Sequence, residues 1–110
     1  MADSYAVLAR GQIGSGAGNL AAPASGKQWV VSYMSFVNVH ASTTYWMKVW
    51  VNGSDDAHIW LPQRNLAPAE QFEWGSGSLA TLNGTASDTI QGIAQAASVI
   101  NYLIMGDEIS

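Results

Sequence analysis

The stretch TTYWMKVWVNGSDD, residues 43–56, decides how the rest of the chain is read. It has the period of a β-strand running into a tight turn, because alternate residues of a strand point to opposite faces. Tyr45, Met47, Val49 and Val51 then share one face, which is ordinary core material. Thr44, Trp46, Lys48, Trp50 and Asn52 share the other, where a sheet normally meets water. Trp46 and Trp50 lie two strand steps apart, about 7 Å, with Lys48 between them. A buried Lys without a partner is costly, so the spacing predicts that Lys48 lies over an indole at a surface or in an interface.

The same grammar extends outward. Short runs rich in Val, Ile, Thr, Tyr and Trp alternate with Gly, Asn, Asp, Pro and Ser clusters. Strands are expected at 4–13, 27–39, 44–52, 57–61, 70–75, 88–95 and 99–109, with a short piece at 78–82. In the longest, Trp29 is placed on a buried face with Val31, Tyr33, Val37 and Val39. The Ala-rich 79–100 is not helical in this reading, because Gly84 and Gly92 interrupt it and Asn83-Gly84 is a hairpin signal. PQRNLAP, 62–68, reads as a loop with two Pro, and GSGAGNLAAPASG, 14–26, as a flexible segment too poor in large apolar residues to pack well. Seven or eight short strands without helical crossovers predict one all-β domain over 1–110, an antiparallel β-sandwich, jelly-roll-like.

Composition narrows the functions. Charged residues are 11% of the 110, against about 25% in an average globular domain, which points to surface that meets protein. Four Lys/Arg against eight Asp/Glu give a net charge of −4. The cations Arg10, Lys27, Lys48 and Arg64 are scattered, which disfavours nucleic acid and anionic membranes. The absence of Cys removes disulfides, thiolate metal sites and cysteine nucleophiles. No segment has the apolar length of a membrane span, and the first residues carry no leader pattern, so a protein made in the cytoplasm is expected.

Two longer stretches carry a resemblance. VSYMSFVN, 31–38, has the form V-x-x-hydrophobic-x-hydrophobic-x-N and leads into the strand at 44–52. Leu82 to Ile90 follows an L-x-x-G-D-T-I-like step, with Ala86-Ser87 where the pattern prefers Ala-Gly, and Ala97, Val99 and Asn101 precede a closing GDEI at Gly106 to Ile109. Over roughly residues 4–110 the chain resembles small virion proteins of tailed bacteriophages, of the capsid decoration (cement) type. The resemblance implies a structural β-sandwich of the virion, a homo-oligomer, commonly a trimer on local three-fold positions. It bridges subunits of the phage major capsid protein. Neck, tail and fibre proteins of similar size are the alternatives it leaves open.

Catalytic and ligand chemistry finds no footing. Gly11, Gly14, Gly16 and Gly18 have no adjacent Lys and no following helix, so a phosphate loop is not expected. His40 and His58, with Asp55 and Asp56 near the latter, lack a metal-ligand spacing. Gly14-Ser15-Gly16 and Gly75-Ser76-Gly77 are too tight for a nucleophile elbow. Glu70 and Glu73, three apart on a strand, fall on opposite faces. The expectation is a non-enzyme without cofactor, metal or small-molecule substrate. Five Trp remain. With Trp29 assigned to the core, Trp46, Lys48, Trp50, Trp60 and Trp74 are the candidate interface residues. Such rings either anchor in a neighbouring subunit or, in a carbohydrate-binding module, stack on sugars. Low charge and the resemblance favour assembly.

Overall fold

The computed structural model describes residues 4–53 and 56–109. Eight strands follow one another: β1 Ser4–Gln12, β2 Gly18–Ala21, β3 Gln28–Asn38, β4 Tyr45–Val51, β5 Ile59–Leu66, β6 Gln71–Asn83, β7 Ile90–Ala94 and β8 Ile100–Ile109. The helical pieces among the described residues are two single 3-10 turns, Asp56–His58 and Gly84–Ala86. One sheet has the order β1-β8-β3-β6 and the other β2-β7-β4-β5. Every pairing is antiparallel. Apart from the β4–β5 connection, each link carries the chain from one sheet to the other. This interleaving is the jelly roll, a sandwich of two four-stranded sheets.

The inner faces meet in one core. Val31, Met34, Phe36, Leu82 and Ile104 come from the first sheet, and Leu20, Met47, Val49, Leu66 and Ile90 from the second, all buried. Met47 and Val49 lie inward, as the alternation in 45–51 requires. The face predicted for β3 needs correction. Opposite the step from Val31 to Tyr33, β8 advances only from Gly106 to Met105, so the ladder carries a bulge at Ser32. An extra residue reverses every side chain beyond it. Trp29 and Val31 therefore face inward, but so do Met34, Phe36 and Asn38, while Tyr33 and Val37 lie outside and Val39 is 48% exposed. Trp29 is half-buried, its Nε1 donating to Glu108 Oε1 at 2.9 Å.

Four further expectations are corrected. Within the segment 14–26, β2 pairs with β7, and Leu20, Ala21 and Pro23 are buried. Small residues are what allow this: Leu20 packs directly over Gly92, where a Cβ would sit 2.7 Å from its Cδ1. PQRNLAP is largely strand, as described below. The separate pieces at 70–75 and 78–82 are one strand, β6, whose register with β3 jumps from Gly75 to Ala80. Asn83-Gly84 is not a two-residue hairpin. Asn83 Oδ1 accepts from Thr85 N at 2.9 Å and caps the 3-10 turn, which ends on Ser87 at φ 60°.

Tyr102 on β8 ties the sheets together, its hydroxyl donating to the Leu20 carbonyl of β2 at 3.0 Å. Burial pushes its pKa above the usual tyrosine value. A raised pKa means the folded state holds this proton more tightly than the unfolded chain. The resulting stability is intact below about pH 10, the ordinary tyrosine value, and is lost as pH rises through the higher folded value. Tyr102→Phe is expected to cost about 1 kcal/mol at neutral pH and to flatten the alkaline loss of stability expected in denaturant titrations above about pH 10.

Candidate protein interface

Four aromatic rings form a path from the core to the surface where β5, an edge of one sheet, approaches β6, an edge of the other. Phe36 is fully buried. Its ring lies 6.4 Å from that of Phe72, Phe72 lies 6.3 Å from Trp74, and Trp74 stacks on Trp60 at 5.6 Å with 30° between planes. Phe72 and Trp74 are half-buried, and Trp60 is 40% exposed. The Arg64 guanidinium carbon sits 4.1 Å from the Phe72 ring centroid. Aromatic pairs of this kind contribute about 0.5–1.5 kcal/mol each beyond burial, so the outer ring is held by those beneath it.

The local sequence explains why Trp60 points there. Along β5 the partners of Met47, Val49 and Trp50 are Arg64, Leu61 and Ile59. Trp60 thus falls in a bulge, without a partner on β4, and Pro62 and Gln63 fall in a second one. A bulge re-aims its side chain, and Pro, which has no N–H to donate, is tolerated at a bulge of an edge strand. Arg64 lies opposite the buried Met47, so it projects from the inner face and reaches across to Phe72. Two bulges, a Pro and an inward-pointing charge are the devices that close an edge to strand addition. The β5 rim therefore presents rings and a guanidinium at the surface, not a free ladder.

Asn38 fixes the crossing between these two strands. Its Nδ2 donates to the carbonyls of Thr43 and Leu66 at 2.8 and 2.9 Å, and its Oδ1 accepts from His40 N at 2.9 Å. The link itself is a β-turn, Glu70 N donating to Ala67 O at 2.9 Å, with Pro68 and then Ala69 at φ 64° as its central residues. Ala69 N donates to Asn38 O, and Asn38 N to Glu70 O. Glu70 Oε1 accepts from Ala67 N and Glu73 Oε2 from the Tyr33 hydroxyl, so the two carboxylates hold different structural positions.

The five interface candidates divide into two groups. Trp60 and Trp74 are brought together on the rim. Trp46, Lys48 and Trp50 lie on the outer face of the second sheet, Trp50 pairing with Ile59, the residue before Trp60. Lys48 Nζ is 5.7 Å from the Trp46 ring centroid, the cation–indole contact that the spacing suggested. Trp50 departs from the expectation of an exposed pair. It is 7% exposed, flanked by its cross-strand neighbours Ile59 and Gln91, and its ring is spent within the fold. With one ring covered and the other lying under a Lys, this stripe lacks two free faces. Sequence reading missed Phe72 and Arg64; their spacing to Trp74 and Trp60 was present but only the bulges give it meaning.

Elsewhere, His40 Nδ1 accepts from Ser42 N and Thr43 N at 3.2 Å each, and its ring packs edge-on to Tyr45. Asp55 lies outside the described residues. Among the described residues no three His, Cys, Asp or Glu gather as a metal site, and no helix is long and apolar enough to cross a membrane. Comparison with protein-family models, with curated proteins and with solved structures finds no match.

Proposed function

We propose that this chain is a structural protein of a tailed-phage virion, most directly a capsid decoration protein, which associates with itself and bridges neighbouring major capsid subunits. The observation that carries the reading is the aromatic rim: an exposed Trp60 backed by Trp74 and Phe72, beside Arg64, on an edge closed to strand pairing. Trp and Arg are the residues in which binding energy concentrates at protein interfaces. The jelly roll and the low charge content support it, since this architecture serves in viral capsids. The fold alone does not decide, because it also hosts lectin domains. The mechanism is mass action: a protein that binds only the assembled shell stabilises that shell. A trimer on three-fold positions is the arrangement that the resemblance implies.

Antibody against the chain, applied to purified particles from its source, is expected to label heads over their whole surface. Label confined to the neck, tail or fibres would assign the chain there instead. Unlabelled particles, together with a Trp fluorescence change on adding oligosaccharides, would replace the assembly reading by sugar binding at Trp60.

A further inference from the structure

Arg64 is the cation of the aromatic rim, and the fold leaves its charge unanswered. It projects from β5 opposite the buried Met47 and lays its guanidinium over Phe72 of β6, 4.1 Å from carbon to ring centroid. That contact uses the flat side of the group. The N–H donors lie in the guanidinium plane, so a ring beneath them does not consume them. Among the described residues the guanidinium has no partner but this ring.

The two acids of the same strand–turn–strand are held elsewhere. Glu70 Oε1 accepts from Ala67 N at 2.8 Å, and Glu73 Oε2 accepts from the Tyr33 hydroxyl at 2.9 Å. Glu73 also falls between Phe72 and Trp74 in the strand, so alternation turns it to the face opposite theirs. The other cations do not join Arg64. Arg10 sits on β1, at the opposite edge of the first sheet, Lys27 lies beside the far end of β6, and Lys48 lies over Trp46.

Charge therefore selects the ligand. A lone guanidinium matches one carboxylate, which it takes through two parallel N–H···O bonds. A phosphate group carries about −1.5 to −2 charge, and a nucleic-acid backbone calls for clustered cations, which the rim lacks. The apolar half of the ligand is set by Trp60, which stacks on Trp74 and is still 40% exposed. Phe72 already restrains the Arg64 side chain, so less freedom is lost when the carboxylate arrives.

We propose that the rim recognises an acidic residue of the major capsid subunit, an Asp or Glu whose carboxylate is received by Arg64 while a neighbouring apolar side chain covers Trp60. This rests on the reading of the chain as a decoration protein and gives that contact its chemistry. Lys cannot replace Arg here without loss, because an ammonium neither stacks flat on Phe72 nor forms the paired bonds.

The test uses heads lacking the protein and the full chain. Binding by sedimentation is measured for wild type, Arg64→Lys and Arg64→Glu at low and high salt, with the near-ultraviolet Trp spectrum showing that each is folded. Arg64→Lys is expected to weaken binding about tenfold and Arg64→Glu about a hundredfold or more. The gap between wild type and Arg64→Glu narrows as salt screens the pair. Heads saturated with Arg64→Lys are then treated with a carbodiimide, which joins an amine to a carboxylate as an amide and takes up the water released. Mass spectrometry is expected to find the introduced amine joined to an Asp or Glu of the capsid protein. Joining to an acid of a second copy of this chain, or to none, overturns the proposal. Equal binding by all three proteins overturns it while leaving decoration standing. A wild type that does not bind heads defeats the decoration reading, and the proposal falls with it.

Discussion

Gly106→Ala is expected to cost about 3 kcal/mol or more, at the upper end of overpacking substitutions, and to lower Tm by more than roughly 12 °C for a domain of this size. Gly106 is buried on β8 opposite Val31, at the bulge that reverses β3. A Cβ there would collide with the Val30 carbonyl oxygen and press on Val31 Cα. These are backbone atoms of the central strand, so no side-chain rotation relieves the clash. The strand would have to separate from its neighbour or lose the bulge, and losing it would turn Met34 and Phe36 out of the core. Gly16→Ala is the control. A Cβ at Gly16 meets nothing within 4 Å, and the change is expected to stay within about 0.5 kcal/mol of wild type. Equal melting points for the two variants would mean that β3 and β8 are not packed as described.

Asn38→Leu is the second large effect, about 3 kcal/mol from a side chain with the same number of heavy atoms and the same branching. It strips the donors from the Thr43 and Leu66 carbonyls and the acceptor from His40 N–H, and unsatisfied buried groups cost about 1–3 kcal/mol each. Asn38→Asp is expected to be worse at neutral pH, since a carboxylate only accepts and would face two carbonyl oxygens. The new carboxyl would bind its proton more tightly when folded than when unfolded, so this variant regains stability as pH falls. Amide exchange should quicken first at residues 66–70, the crossing that Asn38 holds, before the core strands open.

The extent to which the sequence discloses this fold depends on regular alternation. Along Tyr45–Val51 it is unbroken, and Met47 and Val49 point where the pattern puts them. The antiparallel sandwich follows from many such runs. At β3 the spacing V-x-x-M-x-F-x-N contains the bulge openly, three residues between the first inward positions and two thereafter, yet strict alternation from Trp29 passes over it. β2 escaped because packing on Gly92 needs little apolar bulk: small residues that look like a linker allow close approach. β5 escaped because its Pro is read as a breaker, whereas an edge strand with bulges accepts it. The aromatic rim is the product of that same irregularity. Trp60 and Trp74 were nameable as candidates, but their meeting depends on tertiary proximity of two edges that lie in different sheets.

Trp60→Ala should cost only about 1 kcal/mol of stability, since the ring is partly exposed and loses one stacking partner. That separates binding from folding and makes it the most direct probe of the rim. Purified heads lacking the protein would be titrated with wild type and with Trp60→Ala, and bound chain measured by sedimentation. Saturable binding of the wild type is expected, weakened roughly thirtyfold in the variant if Trp60 acts as an interface anchor of about 2 kcal/mol. A folded Trp60→Ala that binds heads as tightly as the wild type would contradict the assignment of the aromatic rim as the contact surface.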